Sequence, residues 1–461
     1  MSTSVEEQLK RQVLWKPRKS ERIADRARTL LKSEFQDQQE KQQEIFKGLA
    51  AVIQFCKDQV PFYSSSFKNK EFLTTGDLQK LPILTKQHLQ HKSTLLVPRS
   101  LPNGHKAGGV RQSSGTTGQP VKIPHTAFSN EIFTIIKQRE YRWFNFNPIN
   151  KLAVIRLPSQ LPYINGAEIT FGQTFSSPGW GSLSNHYQTG EFVAFSVLNT
   201  IEDQLKWIEK IKPHYLTAYA ESLEHLAFAA TSNDFSFQMQ SLLSISETMT
   251  SDMRNRITNA FSAPIQQNYG LNELGIIASK CPEGDRYHVH SEFYHVEIIN
   301  KEGYPCQPGK TGKIIVTSLS NPAMPLIRYD TDDLAIATDQ QCPCGRSLPC
   351  FGEVVGRYSR IAYLPEGTLG NVGVIREILA SLPSDQTKWL RRFQIHQNIS
   401  NSFELRLVAS KKLEPSLFTY IKNSWNQHKI TSKISFKVTQ ISQLNPEKNG
   451  KYHDFTSDFM P

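Results

Sequence analysis

A chain of 461 residues exceeds what a single hydrophobic core normally organises, so two domains are expected. Its 38% apolar and 21% charged residues are the proportions of an ordinary globular protein. A formal charge of +11 points to anionic partners, but no run of five or more Lys/Arg occurs, which argues against a nucleic-acid arm. No stretch approaches the roughly 20 apolar residues of a membrane span, and Met1 to Lys19 lacks the apolar core of a signal peptide. The expectation is a cytoplasmic protein without membrane or nucleic-acid partners.

Residues 5 to 57 read as helical, with Ile45, Phe46, Leu49, Val52, Ile53 and Cys56 recurring on one face. Pro61-Phe62-Tyr63 breaks that pattern, and Leu81 to Lys86 is a turn into another short helix. From residue 151, short strands at 152–155, 215–219, 242–245 and 265–269 alternate with helical patterns such as 202–211 and 221–230. That alternation predicts a largely parallel sheet covered by helices, with ligands at the carboxyl ends of its strands. Residues 293–337 hold strands joined by Gly/Pro/Asn turns, which predicts an antiparallel sheet or small barrel. After Gly356-Arg357 comes a compact α+β pattern of about a hundred residues, a separate domain. The fold class expected is therefore α/β: a large N-terminal domain (1–355) of helix-covered sheets with a small barrel-like sheet, and a small α+β C-terminal domain (356–461).

Four stretches carry chemistry. Ser113, Ser114, Gly115, Thr116, Thr117 and Gly118, followed by Gln119-Pro120, form a hydroxyl- and glycine-rich loop suited to cradling an anion. It is not the ordinary phosphate loop, since no Lys follows Gly118, and alone it also reads as a surface loop. Asn268-Tyr269-Gly270-Leu271-Asn272-Glu273 ends a predicted strand, offering an aromatic face and a carboxylate for a divalent metal. Tyr329-Asp330-Thr331-Asp332-Asp333 places carboxylates, good acceptors for a ribose diol, at another strand end. Asn449-Gly450-Lys451 puts a lysine after a turn. Taken singly, these are equally a Tyr-Gly turn, a solvated acidic strand end and one lysine among many.

Of six cysteines, Cys56 stands alone and five lie between 281 and 350, which does not suggest a disulfide framework. Cys281, His288, Cys342 and Cys344 supply three thiols and an imidazole, a reasonable tetrahedral Zn²⁺ set. Cys306, Cys350, His290 and His295 are candidate substitutes, and buried free thiols are the plain alternative.

In order along the chain, Ser113 to Pro120, Tyr269-Gly270-x-x-Glu273, Arg328-Tyr329-x-Thr331-x-Asp333, Gly356-Arg357 and Gly450-Lys451 resemble the acyl-adenylate-forming superfamily. Val60-Pro61-Phe62-Tyr63, Leu81 to Lys86, Ser320 to Tyr329 and Cys342-Pro343-Cys344-Gly345-Arg346 resemble its phenylacetate–coenzyme A ligase-like branch. The resemblance runs from about residue 45 to 455. It implies that a carboxylate attacks the α-phosphate of ATP and that the acyl-adenylate passes its acyl group to a nucleophile. By the same resemblance, Ser113 to Gly118 hold the β- and γ-phosphates, Tyr269 stacks on adenine and Asp333 accepts the ribose hydroxyls. Glu247, Asn268, Gly270, Asn272 and Arg357 complete the nucleotide site. Glu273 binds Mg²⁺, and Lys451, on a mobile domain, bridges carboxylate and α-phosphate. Some members of the branch carry a similar zinc site, whose role is structural, tying the loop after Glu273 to the loop after Asp333.

Three departures stand out. Asp332 replaces the usual Gly or Arg, Tyr358 to Gly367 alters the hinge that follows Gly356-Arg357, and Lys122 is displaced to two positions after Pro120. The altered hinge puts coenzyme A in question more than adenylation. Two classes follow. One is an enzyme adenylating a carboxylic acid, aromatic by family, with coenzyme A or an amine or hydroxyl of a biosynthetic intermediate as acceptor. The other is a catalytically reduced nucleotide- or acyl-binding partner protein. A homodimer stays open.

Overall fold

The computed structural model describes the chain except residues 1–4, 19–20, 68–74, 113–120, 233–234, 236, 246–248, 250, 358–361, 365–366, 370–372, 381, 383–388, 429–430, 445–453 and 459–461. Contacts divide it into two units, Met1–Leu223 with Phe237–Val354 and Glu224–Ser236 with Val355–Pro461.

In the first unit the N-terminal helical stretch is three helices: α1 (Val5–Val13), α2 (Glu21–Ser33) and α3 (Gln38–Gln59). The Asp37 carboxylate caps α3 by accepting from the Gln39 and Glu40 amides at 2.7 and 3.3 Å. Ile45, Leu49, Ile53 and Cys56, spaced by three and four, are its buried face. Pro61 does more than break a helix: it opens α4 (Pro61–Ser66), at a first-turn position where its missing N–H has no intrahelical partner to lose.

A hairpin of β1 (Ala107–Gln112) and β2 (Lys122–Thr126) leads into α6 (Ala127–Trp143), after the short α5 (Lys86–His91). Thr126 caps α6 by accepting from the Ser129 amide at 3.2 Å. Ten α6 residues are buried, among them Arg139, Glu140 and Arg142, so this helix runs through the interior rather than along it.

The main sheet has nine strands: β3 (Leu152–Arg156), β4 (Thr174–Ser177), β5 (Phe192–Ser196), β6 (Tyr215–Tyr219), β7 (Ser241–Ile245), β8 (Ile265–Leu271), β9 (Gly275–Lys280), β10 (Tyr287–Val289) and β14 (Cys350–Phe351). Their order is β14-β10-β9-β8-β7-β6-β3-β5-β4. Between them in the chain come α7 (Ile201–Ile211), α8 (Ala220–Ser232) and α9 (Ser251–Phe261). Only the centre, β5-β3-β6-β7-β8, is parallel; β4 on one side and β9, β10 and β14 on the other are antiparallel. The largely parallel expectation is thus corrected at the edges, where the added strands run antiparallel without helical crossovers. Residues 293–337 form an antiparallel sheet of β11 (Tyr294–Ile299), β12 (Thr311–Ser318) and β13 (Tyr329–Ile336), and β15 (Val354–Arg357) follows later in the chain.

The second unit contains the hairpin β16 (Ala362–Leu364) and β17 (Gly367–Leu369), then α10 (Gly373–Ala380). Its sheet, in the order β20-β19-β18-β21, joins β18 (Leu390–Ile399), β19 (Ser402–Ala409), β20 (Ser435–Ile441) and β21 (Phe455–Ser457). The helix α11 (Pro415–Gln427) buries Leu417, Ile421 and Trp425 against it. Trp425 stacks on Phe436 at 4.0 Å between ring centroids, so a two-residue strand period and a three-to-four-residue helix period close one core.

Candidate functional site

The best described part of the site sits where β8 turns into β9. Tyr269 lies near the end of β8, and its hydroxyl donates to Asp333 Oδ2 at 2.9 Å although the two are 64 residues apart. Asp333 lies on β13, buried, with its own amide donating to Thr331 Oγ1 at 3.2 Å. The Tyr269 ring meets Phe351 edge-on at 5.9 Å, which fixes its plane. Two of the sequence candidates are thereby brought into one constellation.

Glu273 falls on the β8–β9 turn and is 9% exposed, with no ion pair within 4 Å among the described residues. A carboxylate so placed, without a cation of its own, fits the demand of a divalent metal for oxygen ligands. Gly270 faces Gly275 across the hairpin so closely that a Cβ would stand 2.4 Å from the Gly275 carbonyl oxygen. Glycine at 270 therefore permits the bulge between Tyr269 and Gly270 that sets the turn. Asn268 keeps its Nδ2 buried without a hydrogen-bond partner among the described residues, while Asn272 is exposed at the tip. Asp332 takes a left-handed φ of 64°, and its amide donates to Asp330 Oδ1 at 3.0 Å.

Several candidates lie outside the described residues: Ser113, Ser114, Gly115, Thr116, Thr117, Gly118, Glu247 and Lys451. Arg357 is placed only as the last residue of β15. The sequence reading missed Arg111 and His125, which flank the hydroxyl loop on β1 and β2 and line a cleft with Glu273. Their proximity to the loop in sequence was the available signal. Also missed was Arg156, at the carboxyl end of the central strand β3, whose Nε is buried without a hydrogen-bond partner among the described residues. Tyr219 ends the neighbouring strand β6, and its hydroxyl donates to Gln160 Oε1 at 2.6 Å.

The cysteine cluster assembles from two loops. Cys281 directly follows β9, His288 is on β10, and Cys342 and Cys344 lie between β13 and β14. All four are buried, with one ligand atom from each within 4.8 Å of the others. Ligands about 2.3 Å from a common centre stand roughly 3.8 Å apart, so three thiols and an imidazole at this spacing fit Zn²⁺. Cys344 Sγ lies 3.2 Å from His288 Nε2 and Cys350 Sγ 3.0 Å from Nδ1, which places Cys350 behind the imidazole. Burial opposes a charge on His288, but the thiols of Cys342, Cys344 and Cys350 outweigh it and raise its pKa well above the usual value. Hydrogen bonds from the Cys281 and Cys342 thiols hold Cys344 well below the ordinary thiol range. Of the other candidate substitutes, His290 has both ring nitrogens engaged, by Ser279 and Arg139, and Cys306 contacts the Thr311 carbonyl instead.

No family model matches the chain. Over 324 residues it is 24% identical to the phenylacetate-coenzyme A ligase of Thermus thermophilus, spanning 67% of this chain and 68% of that protein. The phenylacetate-coenzyme A ligase of Escherichia coli is 24% identical over 327 residues, 68% of each chain. Among solved structures, a 2-hydroxyisobutyryl-CoA ligase in the postadenylation state with 2-HIB-AMP matches with a TM-score of 0.69. Identity there is 16%, with 92% of this chain and 91% of that one covered. An anthranilate CoA ligase in complex with anthranoyl-AMP matches with a TM-score of 0.51 at 15% identity, covering 77% and 67%. At these identities the solved structures bear on the fold alone.

Proposed function

We propose that this chain is an acyl-adenylate-forming enzyme of the phenylacetate–coenzyme A ligase-like branch, a reading supported by its similarity to the phenylacetate-coenzyme A ligases. It joins a carboxylic acid to ATP, releasing pyrophosphate, and then transfers the acyl group from the adenylate to coenzyme A. The observation that carries this reading is the meeting of Tyr269 and Asp333 at 2.9 Å, with Glu273 on the turn that follows Tyr269. An aromatic surface, a diol acceptor and a metal carboxylate on one hairpin and its neighbouring sheet are the parts a nucleoside triphosphate requires.

In this reading residues 1–355 form the adenylation domain and 356–461 the lid that carries Lys451. Tyr269 stacks on the adenine, and its hydroxyl holds Asp333 oriented toward the ribose diol. Asn268, Gly270, Asn272, Glu247 and Arg357 border the nucleotide, and the loop from Ser113 to Gly118 wraps its β- and γ-phosphates. Attack on the α-phosphate demands stabilisation of charge on phosphoryl oxygens more than proton transfer. Glu273 would hold Mg²⁺, which supplies that neutralisation when bound, and Lys451 bridges the carboxylate and the α-phosphate. Cys281, His288, Cys342 and Cys344 would hold a structural Zn²⁺, with all four positions taken by protein ligands and none left for chemistry. Aromatic acids are the first class to try, because the curated relatives act on phenylacetate.

The test is carboxylate-dependent ATP–pyrophosphate exchange across aromatic and aliphatic acids, beside Lys451→Ala. Exchange with one class, at least 100-fold lower in the variant, is expected. Folded, metal-replete protein that binds nucleotide yet exchanges with no acid would point to the binding-only class. Exchange without thioester formation would move the acceptor from coenzyme A to an amine or hydroxyl.

A further inference from the structure

The hairpin that carries the hydroxyl loop presents two residues that the family reading does not use. Register pairs Arg111 with Ile123 and Gly109 with His125, so Arg111 and His125 share one face of the hairpin as diagonal neighbours. Gln112 pairs with Lys122, one step along, which puts the displaced lysine on the opposite face, where it is exposed. The shared face opens onto the cleft that also holds Glu273, Ser129, Ser320 and Asn321.

Arg111 is unusual for a cation in such a place. Among the described residues its side chain makes one hydrogen bond, from Nη2 to Asn130 Oδ1 at 3.0 Å, and Asn130 is itself anchored to the Gly108 carbonyl at 2.8 Å. Its guanidinium lies 5.6 Å from the centre of the Phe133 ring. Nη1 reaches to 3.5 Å from where a Cβ on Gly275 would stand, two residues beyond Glu273. No carboxylate lies within 4 Å of it among the described residues. Beneath it, His125 is 4% exposed, and both its ring nitrogens lack hydrogen-bond partners among the described residues. Buried polar groups are rarely left unpaired, so a positioned cation and an unsatisfied imidazole on one wall mark a missing acceptor. Burial and the neighbouring Arg111 push the His125 pKa down to about 4, so at neutral pH the ring offers an N–H without adding a second positive charge.

We propose that Arg111, backed by His125, receives the terminal phosphates of ATP and of the pyrophosphate product. This rests on the adenylating activity proposed above. It supplies, from the strand before the loop, the cation that the loop lacks, since Lys122 faces away. Arg111 is then a substrate-contacting residue, whereas Asn130 is a positioning residue that aims it. A guanidinium suits the role because it offers several donors in a fixed plane to phosphate oxygens.

Calorimetry with three probes tests this: Mg-ATP, Mg-pyrophosphate and AMP, on wild type, Arg111→Gln, Arg111→Lys and His125→Leu. The expected result is that Arg111→Gln weakens Mg-ATP and Mg-pyrophosphate roughly ten- to hundredfold while AMP, which lacks the terminal phosphates, changes less than about twofold. Arg111→Lys should recover part of that loss, and His125→Leu should show a smaller loss with the same selectivity. Equal weakening of all three probes, or no weakening of any, would overturn the assignment. A wild-type chain that binds AMP but not Mg-pyrophosphate would overturn it too, while leaving the adenine and ribose site standing. A wild-type chain that binds no nucleotide would instead remove the proposed activity, and the assignment with it.

Discussion

Gly270 shows how narrowly the site is built at the level of single residues. Its Cβ position is occupied by a backbone oxygen that cannot retreat without breaking the β8–β9 hairpin. Gly270→Ala should lower the unfolding free energy by about 2 kcal/mol, read from the urea midpoint, through strain that no side-chain rotation can relieve. It should also displace Glu273, so Mg-ATP affinity should fall further than stability alone explains. An alanine variant with unchanged stability and affinity would show that the hairpin tolerates rearrangement. The candidates at this scale were legible in the sequence where residue type is itself the chemistry, as with Tyr269, Glu273 and Asp333. Arg111 and His125 were not legible, because an arginine and a histidine near a loop say nothing of their partners. Only the missing acceptor gives them meaning.

Between elements, the N-terminal helices and the cysteine loop are joined through Glu34. This fully buried carboxylate, just after α2, accepts from Trp143 Nε1 at 2.9 Å and from Arg346 Nε at 3.4 Å, and it pairs with Arg139 and Arg142 on α6. The Ser347 amide donates to the Glu34 carbonyl at 2.7 Å. Glu34→Gln should cost about 3–5 kcal/mol, since three buried guanidinium groups would lose their shared anion. Denaturant unfolding measures it, and a loss under 1 kcal/mol would mean the arginines find other acceptors. Arg346 lies two residues after Cys344, so the metal loop and this network share a segment. Purified protein is expected to hold one zinc per chain by elemental analysis. Chelation, or Cys344→Ser, should lower the melting temperature, because ligand binding to the folded chain contributes directly to folding. Metal-free protein with an unchanged melting temperature would leave the four residues as packed thiols. The spacing of Cys281, His288, Cys342 and Cys344 had marked them as a set. The sequence marked Cys350 only as a candidate substitute, and it is the β10–β14 pairing that brings it behind His288.

Across the molecule, two imidazoles, His125 buried and His295 half-buried, set an acid limb. Burial, with Arg111 near one and Arg328 near the other, pushes His125 and His295 down to about 4. In the unfolded chain a histidine titrates near 6.5. Between those values the unfolded state binds protons that the folded state refuses, so stability is full above about pH 6.5 and falls as pH drops toward 4. Each group contributes at most about 1.4 kcal/mol per pH unit while it titrates. With the zinc site loaded, so that His288 does not titrate, urea midpoints at pH 7 and pH 5 should differ, and His295→Phe should flatten the difference. Equal midpoints at the two pH values would contradict the burial of neutral rings. Among the described residues, no helix is long and apolar enough to cross a membrane.

The sequence by itself determined most of the elements and the motifs that carry the family resemblance. Hydrophobic period separates strand from helix locally, and it located 215–219, 242–245 and 202–211 to within about a residue. Motif order was enough for the resemblance to a superfamily, because each motif's chemistry is written in residue types. Tertiary structure alone decided strand direction at the sheet edges, since a short apolar run carries no mark of which way its neighbour points. It alone joined Tyr269 to Asp333 across 64 residues, and Glu34 to Arg346 across 312. Such contacts are set by the summed packing of everything between them, and no local pattern records that sum.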